Sequence, residues 1–102
     1  MIDERQVMEL QGHGQDIPGL LAHWAELRGD HPVLVWEPGE GDVRTWTYTE
    51  LWDEVRRLAA GLADKGIAVD EKVLIHSENA PEMVIAWLAC ATVGAVAVTT
   101  NT

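Results

Sequence analysis

Histidine, cysteine, serine and carboxylate side chains are where chemistry would begin in this chain, and their spacing decides what they can do. His13, His23, His31, His76 and Cys90 are the candidate soft or borderline metal ligands. No two of them have the four-residue helical spacing or the Cys-x-x-Cys spacing that sets two ligands on one side of a metal, so the sequence points to no metal site. Ser77 directly follows His76, but neighbours in sequence do not reach the nucleophile and base geometry of acyl transfer, and nothing completes a triad. Glu78 and Glu82 suit capping and surface roles better than paired acid and base catalysis. Gly12-His13-Gly14 and Gly39-Glu40-Gly41 match only the first three positions of a phosphate-cradling GxGxxG loop, and neither lies between a strand and a helix, so both read as loops. Cys90 falls inside an apolar helical stretch, where a thiolate is disfavoured, and reads as a small core residue. His76 closes a short apolar strand and reads as a structural histidine. The residues themselves therefore name no catalytic, cofactor-binding or metal-binding position.

The elements that hold these residues are more legible. Asp16 can cap a helix that starts near Pro18, with Leu20, Leu21, Trp24 and Leu27 at helical spacing and Gly29 at its end. Val33 to Trp36 and Val43 to Tyr48 favour β-structure around a segment containing Pro38, Gly39 and Gly41, which predicts a hairpin. Thr47 and Glu50 have capping-box spacing, and the helix that follows carries Leu51, Val55, Leu58 and Leu62 as its apolar stripe until Gly66 stops it. Val73-Leu74-Ile75 is a short run suited to a strand covered on both faces. Asn79 and Glu82 form a second pair of capping-box type, with Pro81 in the first turn. The helix from there to Val93 is apolar on every side, which demands neighbours in several directions, and Gly94 ends it before the strand Ala95 to Val98. Strand, helix and strand across residues 72–98 make a βαβ unit with parallel strands and a right-handed crossover. The fold class is α/β.

Composition narrows the function further. The 102 residues are 47% hydrophobic and 24% charged, the balance of a globular chain, and length suits one small domain or part of a larger one. Seventeen acidic against seven basic residues give a formal charge of −10, which repels phosphate backbones and makes nucleic acid a poor partner. A single cysteine allows no internal disulfide, so the expected compartment is cytoplasmic. Residues 1–16 read as a polar leader bearing Asp3, Glu4 and Glu9, without the apolar run of a secretory signal. Met83 to Thr102 holds no charge over 20 residues, yet Thr92, Gly94, Thr99, Thr100 and Asn101 interrupt it, so it reads as core and no transmembrane segment is expected. Five tryptophans, Trp24, Trp36, Trp46, Trp52 and Trp87, are spread over most of the elements as packing residues.

Two stretches add a family resemblance. Trp46-Thr47-Tyr48-Thr49-Glu50-Leu51 resembles the Thr-Tyr-x-Glu-Leu motif near the start of adenylate-forming enzymes, and an amphipathic helix ending in Lys65-Gly66-Ile67 follows it. Lys72-Val73-Leu74-Ile75-His76, Glu78-Asn79-Ala80-Pro81-Glu82 and Ala91-Thr92-Val93-Gly94-Ala95-Val96 resemble the next recurring block of the same AMP-binding enzymes. The wording is closest to the acyl-CoA synthetase and carnitine-type CoA ligase branch, except that Thr99-Thr100-Asn101 stands where relatives commonly place proline, Ile or Leu, and Asn. The resemblance implies that residues 17–102 are an incomplete N-terminal portion of an AMP-binding ligase domain. It implies a two-step reaction in which a carboxylate displaces pyrophosphate from ATP and a thiol, usually of CoA, then displaces AMP, with Mg²⁺ screening the phosphates. The family's Ser/Thr/Gly-rich phosphate loop, ribose-binding acid and C-terminal-domain lysine have no counterpart here. This predicts a 102-residue chain inactive by itself and prone to self-association through its uncovered apolar elements; the alternative is a free-standing α/β interaction module without enzymatic activity.

Overall fold

A computed structural model describes residues 16–101, and the polar leader apart from Asp16 lies outside them. The first helix, α1, runs Ile17–Arg28; the Asp16 carboxylate accepts the Gly19 N–H at 2.8 Å, and Pro18 occupies the first turn, where its missing N–H costs nothing. Pro18 and Leu21 are buried, whereas Leu27, expected in the same stripe, is 63% exposed.

Strands β1 (Pro32–Trp36) and β2 (Arg44–Thr47) form the predicted hairpin, pairing antiparallel with Leu34 opposite Trp46 and Trp36 opposite Arg44; the register shifts between Pro32 and Leu34. Gly39 and Gly41 turn the connection at φ of 85° and 94°, a region that glycine enters without steric cost. Helix α2 (Tyr48–Asp64) begins without a loop, because Thr47 ends the strand and caps the helix at once. The capping box is complete: the Glu50 N–H donates to Thr47 Oγ1 at 3.2 Å, and the Thr47 N–H donates to Glu50 Oε1 at 2.9 Å.

The buried stripe of α2 is Leu51, Val55 and Ala59, at strict four-residue spacing. Leu58, expected in that stripe, is 38% exposed, because the burying partners lie along the i+4 row and leave the i+7 position at the margin. The helix closes in a Schellman motif around Gly66 at φ 90°: the Gly66 N–H donates to the Ala63 carbonyl at 2.9 Å and the Ile67 N–H to that of Leu62 at 3.1 Å.

Strand β3 (Lys72–His76), helix α3 (Pro81–Val93) and strand β4 (Val96–Thr100) make the βαβ unit, with parallel register from Lys72 opposite Val96 to His76 opposite Thr100. The cap of α3 differs from expectation. Pro81 holds the residue before it extended, so Ala80 (φ −153°, ψ 160°) becomes the N-cap and offers no side-chain bond. Asn79 thus lies one residue too early for a capping box with Glu82. Gly94, at φ 82°, ends the helix in a second Schellman motif, with the Ala95 N–H donating to the Cys90 carbonyl at 2.9 Å.

Helix α3 lies between α2 and the β3–β4 pair, and α1 packs against both longer helices. The core gathers Leu21, Trp46, Leu51, Val55, Ile85 and Leu88, with Leu34, Trp36, Tyr48, Trp52 and Val84 partly buried against them. Ala89 and Cys90 on α3 are almost wholly shielded, in keeping with neighbours on more than one side. The sheet is covered on one face only. Leu74 is 67% exposed, Val96 45% and Val98 40%, so the expectation of a β3 shielded on both faces does not hold among the described residues.

Candidate functional site

The hairpin and the start of α3 enclose an apolar cleft of about 310 Å³, walled by Leu34 and Trp36 on β1 and by Pro81, Met83 and Val84 on α3, with Asn79 at its edge. An ion pair spans the same two walls: Arg44 on β2, opposite Trp36, donates through Nη1 to Glu82 Oε1 at 2.9 Å. The Arg44 guanidinium also lies 4.5 Å from the centre of the Trp46 ring, so one side chain makes a charge-assisted bond and a cation–π contact. The Arg44 hydrogen bond is the main cause that holds the Glu82 carboxyl below its ordinary value; its own backbone N–H and the guanidinium charge help, against slight desolvation. Both partners are at least half exposed, so the pair contributes at most about 1 kcal/mol.

Trp46 is buried from below by a second polar contact that the sequence did not suggest. Its indole Nε1–H donates to Glu54 Oε2 at 3.0 Å, which satisfies the buried tryptophan's only polar atom. Eight residues separate the two, and only the docking of strand on helix brings them together. Beside them Thr45, Glu50, Asp53 and Arg57 line a polar hollow of about 230 Å³. Its carboxylates make it a poor seat for a phosphate. Arg56 is turned to Asp53 and to the Trp52 ring, and Arg28 to the Trp24 ring, so each of these arginines covers an aromatic surface.

At the carboxyl ends of β3 and β4, the His76 Nδ1 and Thr100 Oγ1 lie 2.7 Å apart, joining opposite residues of the parallel ladder. The Ser77 hydroxyl donates to the Glu78 carbonyl at 2.8 Å, so the structure does not bring Ser77 and His76 together as nucleophile and base. Cys90 is 1% exposed, and burial pushes its thiol above the ordinary value, which leaves it unreactive as a nucleophile. Among the described residues no three His, Cys, Asp or Glu side chains gather as a metal would require. Gly39 and Gly41 sit in the hairpin turn, while Gly12 and Gly14 lie outside the described residues. No described helix is long and apolar enough to cross a membrane.

This geometry is a scaffold of apolar clefts with few convergent polar groups, and residues 21–102 match the family model for the AMP-binding enzyme. The chain belongs to the AMP-binding enzyme family. It is 43% identical over 68 residues to an acetyl-coenzyme A synthetase of Deinococcus radiodurans, covering 67% of this chain and 10% of that protein. It is 34% identical over 94 residues to a crotonobetaine/carnitine–CoA ligase of Salmonella paratyphi A, covering 92% of this chain and 18% of that protein. The chain therefore spans less than a fifth of the length of these curated relatives.

Solved structures agree on the fold. The N-terminal subdomain of NpsA from Klebsiella oxytoca superposes with a TM-score of 0.73 at 29% identity, over 83% of this chain and 21% of that one. A fatty acid AMP ligase from Legionella pneumophila reaches a TM-score of 0.84 over 89% of this chain and 16% of that one; at 20% identity that likeness concerns the fold alone. The α/β architecture, with its antiparallel hairpin and parallel strand pair, is that of an AMP-binding ligase's N-terminal region.

Proposed function

We propose that residues 17–102 form a structural part of the N-terminal domain of an ATP-dependent carboxylate–CoA ligase, which makes an acyl-adenylate and then an acyl thioester in the cytoplasm. The observation that carries this reading is the alignment of 92% of the chain with a ligase named for joining crotonobetaine or carnitine to CoA, together with the acetyl-coenzyme A synthetase match. ATP, Mg²⁺ and CoA are the implied cofactors and co-substrate, with a carboxylic acid as the other substrate.

These residues do not fit the nucleotide themselves. Arg44 and Arg56 are committed to Glu82 and Asp53, the polar hollow is acidic, and the left-handed glycines belong to a hairpin turn and to helix ends. No step of the reaction is therefore assigned to a side chain of this segment. Its part is to position the hairpin and the βαβ unit on which further ligase structure is built.

ATP–pyrophosphate exchange tests the assignment. The 102-residue chain should give no exchange with acetate or other short acids, whereas a longer in-frame polypeptide that includes a Ser/Thr/Gly-rich loop should. Exchange by the 102-residue chain alone would overturn the placement of the chemistry elsewhere. A stop codon directly after Thr102 would favour a free-standing interaction module or an inactive truncated product over a working ligase.

A further inference from the structure

We draw no further inference here: the strongest candidate, the apolar cleft between the β1–β2 hairpin and the start of α3, stands open in a segment that spans less than a fifth of the length of its curated relatives, and nothing in the structure shows what covers it.

Discussion

Gly29 sets two opposing effects against each other, and their balance can be worked from the structure. Its backbone is ordinary for any residue, at φ −53° and ψ −35°. Gly29→Ala should therefore gain about 0.4 to 1 kcal/mol by restricting the unfolded chain, if the methyl group has room. It does not have room. A Cβ at this position would press on Thr49 Oγ1 and lie 2.7 Å from the Ala25 carbonyl oxygen, a backbone atom that cannot swing aside. The approach is also pinned by the Thr49 N–H donating to the Gly29 carbonyl at 3.2 Å and the Tyr48 N–H donating to that of His31 at 3.0 Å. Overpacking of this kind costs about 1 to 3 kcal/mol, so the net expectation is a loss of up to about 2.6 kcal/mol. Denaturant unfolding, read as a shift of midpoint at constant slope, measures it. Thr49→Ala in the same background removes the hydroxyl but not the carbonyl, and should restore part of the loss. A Gly29→Ala chain more stable than the original would refute the close approach of α1 to the start of α2.

Val55 is fully buried, and Val55→Ala should cost about 2 to 3 kcal/mol through lost burial and the cavity left, measured by the same unfolding experiment. Glu82 has its folded carboxyl held below the ordinary value, so the stability it adds is present above the unfolded carboxylate value and lost as pH falls through the folded one. The pair is exposed, so the difference between the original chain and Glu82→Gln should be under about 1 kcal/mol near neutral pH and vanish in acid; a difference that grows as pH falls would contradict the sign. Cys90, with its thiol raised by burial, should react with a disulfide reagent many times faster in denaturant than in the native state, and equal rates would show that the thiol is not shielded.

Features whose partners are close along the chain are legible in the sequence. Thr47 and Glu50 complete their capping box within three residues, and Gly66 and Gly94 stop their helices through bonds made within one turn. At the cap of α3 two local rules compete, and the sequence pattern places the boundary one residue early: Asn79 is the better capping side chain, but Pro81 fixes Ala80 in the extended conformation and so sets the helix start. The burial of Ala59 in place of Leu58 depends on which row of α2 meets its neighbours, a property of helix packing that composition does not encode.

The polar contacts of the candidate site are out of reach for the same reason. Arg44 and Glu82 are 38 residues apart and Trp46 and Glu54 eight, so no periodic pattern joins them. The family resemblance carries what geometry cannot, since no side chain in the segment declares a reaction, and residues 21–102 bear it out.

The joint at Thr47 has a consequence for how this piece can be altered. Since one residue closes the hairpin and opens the helix, the two elements turn together as a rigid lever. An amino acid inserted between Trp46 and Glu50 would rotate everything after it by about 100° around the helix axis and swing Leu51 and Val55 out of the core. Lengthening the hairpin at Gly39 to Gly41 would leave that alignment intact, so natural or engineered length variation should accumulate at the tip and spare the hinge.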